Sequence, residues 1–327
     1  MNIKTGENKE KWDLWLKKNS LNAPFTQSFE WGEILLKEGK KVERLMICEG
    51  EVVLGQALVH WASLPFGLKY AFCPRGPVIV VGQDEAVMKT LTAYLKKQGG
   101  VFLRIEPEWL PNKLSVKKTI DINPATTTII TVTGGKENWL NRMRKNTRYS
   151  IRQSLKNNLL VKAEKNLEIF WKLLNITAQR DDFKTHSKKH YEMILHSQSV
   201  YQLTAYHENV PVATAAFVRF GDTLTYLFAA SDHEWHKLSA PYLLQLEALR
   251  LAEKIGCTKY DMFGIAPPLK ESGADYEYDQ KHHYAKITLF KLGFGGKVKT
   301  SPGTYDIILK APRFYFYKLV RALRRLI

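Results

Sequence analysis

The chain has 327 residues, 45% hydrophobic and 25% charged, which excludes a disordered or fibrous protein and suits two globular domains with real cores. Lysine and arginine total 49 against 32 aspartates and glutamates, a formal net charge of +17 that favours polyanionic partners: nucleic acid, nucleotide phosphates or an anionic membrane surface. Cys48, Cys73 and Cys257 form no CxxC pair, the charged N-terminus lacks the apolar core of a secretion signal, and no apolar run is long enough to span a bilayer. A reduced cytosolic protein is expected.

Hydrophobic periodicity divides the chain into two halves that loosely repeat. The first reads as a helix (28–39), three strands (42–50, 52–62 and 68–80), a helix (84–99) and a strand (101–107). The second reads as two helices (167–182 and 188–197), three strands (200–208, 210–220 and 223–231), a helix (240–256) and a strand (259–265). In the helix over 240–256, Leu243, Leu244, Leu246, Leu249, Leu251, Ala252 and Ile255 recur at helical spacing and Gly256 supplies a stop. "CEGEV" and "HENVP" carry turn signals between paired strands. Helices, an antiparallel meander, a helix and a further strand predict an α/β acyltransferase-like sheet used twice.

Between the halves, residues 139–165 are strongly basic. Arg142, Arg144, Lys145, Arg148, Arg152, Lys156, Lys162 and Lys165 face one acid, Glu164. This stretch is either a solvated amphipathic connector with snorkelling cations or a contact surface for a phosphate backbone. The C-terminal segment mixes Lys310, Arg313, Lys318, Arg321, Arg324 and Arg325 with Phe314, Tyr315, Phe316, Tyr317, Leu319, Val320 and Leu323, and Pro312 suits a first helical turn. Such a helix can lie on an anionic membrane, dock its aromatic face on the protein body, or do both.

Absent motifs narrow the chemistry. There is no GxxxxGK[ST] loop, no GxSxG elbow and no HExxH. His282 and His283 sit in a polar loop without metal-ligand spacing, so neither metal nor cofactor is expected. An acyl-CoA enzyme needs a glycine-rich turn at a helix N-terminus to hold the pyrophosphate. "HEWHKLSAPYLLQ" has no glycine and Pro241 removes a donor, while "GQDEAVMK" sets Asp84 and Glu85 where phosphate would be repelled. In "ITLFKLGFGG" (287–296), Lys291 precedes Gly293, Gly295 and Gly296, the wrong order for a phosphate cradle. That pattern predicts a strand, on which Lys291 is either a surface lysine at a sheet edge or is delivered into a cleft.

"FTQSFEWGEILLKEG", "LPFGLKYAFCPRGPVIV", "MRKNTRYSIRQSLKNNLLV", "TLTYLFAAS", "SAPYLLQLEALRLAEKIGCTKYDMFGI" and "ITLFKLGFGGKVKTSPGTYDIIL" together resemble the Fem family of peptidoglycan bridge-forming, tRNA-dependent aminoacyltransferases. The resemblance implies an α/β (α+β) fold of two tandem Gcn5-related N-acyltransferase-like domains, without the long helical coiled-coil arm of some members. The first would hold residues 1–146 and 305–327, the second 147–304. The implied donor is an aminoacyl-tRNA carrying Gly, Ala or Ser. The implied acceptor is the stem-peptide amine of lipid II or of its UDP-linked muropeptide precursor. A monomer is expected, cytoplasmic and in peripheral contact with the anionic inner leaflet.

The resemblance also assigns roles. Lys291, preceded by Phe290, is the cation that contacts the tRNA end and the developing oxyanion. Glu106, at a strand end, deprotonates the amine or only orients it. Asp261, at the equivalent strand of the second half, is structural. Gln27, Trp31, Glu33, Arg180, His186, Tyr191, Phe228 and Tyr242 face the acceptor. Arg142, Arg144, Lys145, Arg148 and Arg152 join Phe290 and Lys291 on the tRNA. Glu33 stands where better-known relatives carry a lysine for the diphosphate, and His186 where they carry an arginine. Both departures remove positive charge and point to lipid II rather than the UDP-linked acceptor. Two alternatives stay open: an N-acyltransferase of the same fold with another donor or acceptor, and a non-catalytic RNA- or membrane-binding module.

Overall fold

A computed structural model describes residues 1–110, 115–269 and 276–323; Arg324 and Arg325 lie outside them. The chain forms two units, Met1–Ala125 with Ser301–Ile327, and Thr126–Thr300. The first contains β1 (Asn2–Thr5), α1 (Lys9–Asn19), α2 (Phe29–Lys37), β2 (Val42–Glu49), β3 (Val52–Ser63), β4 (Lys69–Cys73), β5 (Val78–Ile79), α3 (Asp84–Lys97), β6 (Phe102–Ile105) and β7 (Lys117–Lys118). The second contains β8 (Thr126–Thr131), α4 (Gly135–Arg142), α5 (Lys145–Lys156), β9 (Leu160–Ala163), α6 (Leu167–Asp181), α7 (Lys188–His196), β10 (Val200–His207), β11 (Val210–Phe220), β12 (Thr223–Ser231), α8 (Ala240–Lys254), β13 (Lys259–Gly264), α9 (Ala285–Leu292) and β14 (Lys297–Thr300). The chain then returns to the first unit with β15 (Tyr305–Ile308) and α10 (Ala311–Leu323).

The two sheets repeat one plan. The first runs β1-β2-β3-β4-β6-β15-β7 with β5 on β3, and the second β14-β8-β13-β12-β11-β10-β9. Each holds one parallel pair among the described residues, β4 with β6 and β12 with β13. A parallel pair needs a crossover, and α3 and α8 supply it. Val87, Met88, Leu91 and Leu95 of α3 are buried on the first sheet, and Leu244, Leu246, Leu249 and Ala252 of α8 on the second. Each large side chain so buried contributes about 2 kcal/mol.

The unit boundaries differ from the sequence expectation of 146/147 and 304/305. The reason is edge pairing. The last strand of each crossover would otherwise leave a row of unpaired backbone groups. In the second unit β8 fills that edge of β13 and is itself paired by β14, which draws residues 126–146 into this unit. In the first unit β15 fills the edge of β6. There Arg104 and Asp306 stand opposite each other and form a buried two-pronged ion pair, 2.7 and 3.0 Å. Thr304 hydrogen-bonds Glu106, so residues 301–304 also belong to the first unit.

The α10 helix docks through Phe314 and Tyr317, whose rings lie 5.5 and 5.8 Å from that of Phe102. The three cysteines are buried free thiols. No described helix is long and apolar enough to cross a membrane.

Candidate functional site

The second unit contains a cavity whose origin is a splayed strand pair. β12 and β13 pair in parallel only over Thr223–Thr225 with Lys259–Asp261. Beyond that point β12 continues to Ser231 against β11, whereas β13 bulges and ends at Gly264. The gap holds about 530 Å³, walled by Tyr226–Ser231 of β12, by Pro241, Leu244 and Gln245 from α8, by Arg180 from α6, and by Phe290 and Lys291 from α9.

Lys291 is not on a strand. Residues 285–292 form α9, and Ala285, Thr288, Lys291 and Leu292 face inward at helical spacing. The strand expectation arose because apolar Ile287 and Leu289 alternate with polar residues, but both are exposed, while polar Thr288 and Lys291 are buried. Lys291 is 5% exposed. Its Nζ donates to the Gly264 carbonyl at 2.8 Å and lies 5.4 Å from the Tyr226 ring centroid. No carboxylate forms an ion pair with it among the described residues.

Burial pulls the Lys291 pKa down to about 7, against the opposing field of the Asp261 carboxylate. Asp261 also builds the turn that aims the Gly264 carbonyl. Its side chain accepts the Phe263 N–H at 2.7 Å and the Thr127 hydroxyl, and Phe263 sits in the left-handed region at φ 58°. Asp261 is therefore more than the structural residue expected. In Asp261→Asn both hydrogen bonds survive and the charge does not. The Lys291 pKa should then fall further, moving the alkaline limb of kcat/KM down by about one pH unit. A pH–rate profile of the variant that overlays the wild type would remove Asp261 from this role.

The cavity wall collects four of the expected residues: Lys291, Phe290, Arg180 and Phe228. Tyr242 packs edge-on against Phe290 at 5.0 Å, and Tyr191 against Phe228 at 5.2 Å. Arg180 is held by Asp181 through two contacts, 2.7 and 3.1 Å, which raises the arginine's pKa and lowers the acid's. The His186 ring lies tilted against that of His190, centroids 4.2 Å apart, and its backbone N–H donates to the Tyr191 hydroxyl. Sequence reasoning missed Tyr226 and the Gly264 carbonyl. A glycine inside a strand pattern, as in "KYDMFGI", signals a bulge or a close approach.

Glu106, Gln27, Trp31 and Glu33 belong to the first unit. Glu106 is buried and accepts four hydrogen bonds: from the Arg75 N–H (3.1 Å), the Asn123 N–H (2.9 Å), the Asn123 side-chain amide (2.6 Å) and the Thr304 hydroxyl (2.9 Å). Two donors on each oxygen use its acceptor capacity. It clasps Asn123, near where the chain leaves this unit, to Thr304, near where it returns, so its hydrogen bonds serve the fold rather than the proton transfer or the hold on the amine expected of it.

Gln27 has no exposed surface. Its amide donates to the carbonyls of Pro74 (2.6 Å) and Leu58 (3.1 Å) and accepts the Leu58 N–H (2.8 Å). That is a structural brace, contrary to the expected acceptor contact. Gln27→Leu should orphan those backbone groups and destabilise by about 2 kcal/mol, read by thermal melting. The KM for the acceptor should not change; a raised KM at unchanged stability would restore the contact role. Trp31 packs edge-on with Phe25 at 4.9 Å, and Glu33 pairs with Arg44 at 2.6 Å.

The basic stretch divides into α4, α5 and β9, and its cations divide too. Arg142 donates to the carbonyls of Thr131 (2.7 Å) and Asn138 (3.2 Å), and Arg148 to those of Met143 and Leu140. These two cap α4 and its approach. Arg144, Lys145 and Arg152 are exposed and form no ion pair among the described residues. The Arg144 N–H donates to the Gly293 carbonyl at 2.8 Å, tying α5 to the end of α9. A Cβ on Gly293 would meet the Thr147 hydroxyl at 2.3 Å, and one on Gly295, at φ 76°, the Arg142 carbonyl at 2.1 Å. The glycines after Lys291 thus permit close approach of the basic helices.

The FemAB family model matches residues 8–134 and 196–322. A comparison with curated proteins returns no match. Among solved structures, the crystal structure of FemX superposes with a TM-score of 0.82 at 17% identity, covering 97% of this chain and 99% of that one. The structure of L-PGS from Bacillus licheniformis gives 0.57 at 12% identity, covering 99% and 98%. A tandem GNAT protein from the clavulanic acid biosynthesis pathway gives 0.55 at 11% identity, covering 94% and 98%. These likenesses are of fold: two mixed sheets in tandem, with no described helix longer than the 15 residues of α6 and α8, hence no coiled-coil arm. With its family model matched over both halves, the chain belongs to the FemAB family, as a transferase built on two tandem Gcn5-like units.

Proposed function

We propose that the protein transfers an amino acid of the Gly, Ala or Ser class from aminoacyl-tRNA to the stem-peptide amine of a peptidoglycan precursor, with lipid II preferred over the UDP-linked form. The observation that carries this reading is Lys291: a buried cation with no ion pair among the described residues, on the wall of a cavity in a FemAB-family chain. Such a group waits for an anion. Attack of the amine on the ester carbonyl carbon creates a tetrahedral oxyanion. The Lys291 ammonium opposes that charge, worth about 3 kcal/mol by analogy with one oxyanion donor. The carbonyl–ribose C–O bond then breaks, and the ribose oxygen keeps the proton that the amine releases. Because free Lys291 titrates at about 7, binding of an anionic tRNA end or oxyanion draws a proton onto it.

The donor side has two supports. Arg144, Lys145 and Arg152 offer unpaired charge to a phosphate backbone. The start of α8 lacks a pyrophosphate turn: Ser239 at φ 55° is followed by Ala240 and Pro241. On the acceptor side, Glu33 neutralises Arg44, which disfavours a diphosphate there. The test is transfer from a panel of charged tRNAs to lipid II and to UDP-MurNAc-pentapeptide. Lipid II-dependent transfer from one of the Gly, Ala or Ser tRNAs is expected, and no acceptor-dependent transfer from any would sink the reading.

A further inference from the structure

One face of α10 points the wrong way for a helix that only packs on its own domain. Phe314, Tyr317 and Arg321 recur at inward spacing, with Phe314 and Tyr317 on Phe102. Phe316, Leu319 and Leu323 recur at the same spacing half a turn away, and all three are exposed. The stripe extends beyond the helix. Phe66, 72% exposed at the tip of the loop Pro65–Gly67 and held at φ 60°, brings its ring to 5.4 Å from that of Phe316. A contiguous apolar patch of this kind marks an interaction site.

The side of the helix away from the stripe is basic. Lys118, Lys318 and Arg321 line a hollow of about 450 Å³ there. Lys117 reaches the Tyr315 hydroxyl at 3.0 Å. None of Lys117, Lys318 and Arg321 is paired with a carboxylate among the described residues.

We infer that this surface docks on a lipid bilayer carrying anionic phospholipids, with Phe66, Phe316, Leu319 and Leu323 in the headgroup–acyl boundary and Lys318 and Arg321 on phosphodiester groups. Charge complementarity selects this occupant. A second copy would set cations against cations in a two-fold contact. An RNA backbone would meet the cations and leave the apolar stripe in water. An anionic bilayer satisfies both halves at once. The surface stands on its own, whatever acceptor the transferase uses.

The test is co-sedimentation of the full-length protein with vesicles of phosphatidylcholine alone or with about a third phosphatidylglycerol, comparing wild type with Phe316→Ser/Leu319→Ser and Lys318→Gln/Arg321→Gln. Each cation near an anionic surface is worth about fivefold in partitioning, so losing two should weaken binding to phosphatidylglycerol vesicles about 25-fold. Losing the apolar pair should weaken it by about tenfold or more. Both variants alter exposed or half-exposed groups and should melt as wild type does; should the serine pair not, Phe66→Ser at the loop tip replaces it. Equal binding to both vesicle types, no binding by wild type, or a serine variant that binds unchanged would overturn the inference. So would a wild-type dimer in sedimentation velocity that the serine pair dissolves, or a glutamine pair that loses tRNA affinity while retaining vesicle binding.

Discussion

Lys291→Met should lower transfer by about 10²- to 10³-fold, the scale of losing one oxyanion donor, while leaving the protein at least as stable as wild type below neutral pH. The stability half separates catalytic burial from structural burial. The Lys291 ammonium is pushed from the ordinary 10.5 to about 7 because the folded state desolvates it. Below pH 7 it is charged in both states, and folding carries the full burial penalty, about 5 kcal/mol. Between pH 7 and 10.5 the unfolded chain binds the proton and the folded chain does not, so wild-type stability rises with pH through that window. Methionine fills similar volume without the charge, at the cost of leaving the Gly264 carbonyl unpartnered, about 1–2 kcal/mol. The variant should therefore melt higher than wild type near pH 6, with the difference shrinking or reversing by pH 9.5. A variant that transfers normally, or melts lower at both pH values, would remove Lys291 from this role.

The same residue shows how far the sequence could be read. Ordinary amphipathic elements were legible because burial and hydrophobicity agree in them: α8 shows its leucines at helical spacing, and β10, β11 and β12 are short β-rich runs between turn signals. In α9 the two disagree. The functional face carries Thr288 and Lys291 inward and leaves Ile287 and Leu289 outside, so a polarity pattern reads the wrong period. Gln27 and Glu106 fail differently. Their chemistry suggests a substrate, yet in the folded chain their hydrogen bonds go to backbone and side-chain groups distant in sequence, such as Leu58, Pro74 and Thr304. No local pattern encodes those partners. The strands β8 and β15 escaped for a related reason, because filling the edges of β13 and β6 depends on pairings about 130 and 200 residues apart.

Reversing the three exposed cations, Arg144→Glu/Lys145→Glu/Arg152→Glu, should weaken tRNA binding by about 10²-fold and reduce the slope of log affinity against log salt by about 2 to 3. The residues follow from the division of the basic stretch. Arg142 and Arg148 already donate to backbone carbonyls around α4, so replacing them tests helix capping as much as RNA contact. Arg144, Lys145 and Arg152 are exposed and form no ion pair among the described residues, and surface substitutions of this kind shift stability by about 0.5 kcal/mol or less. A lost phosphate contact releases fewer counterions, so the salt slope counts contacts independently of how tight the remaining complex is. The expected triple variant melts as wild type, keeps its affinity for the muropeptide, and fails on tRNA most visibly at low salt. Loss of affinity at every salt concentration with an unchanged slope would mean that these cations act by tilting α5 against the Gly293 carbonyl at the end of α9, and the tRNA path would then lie elsewhere.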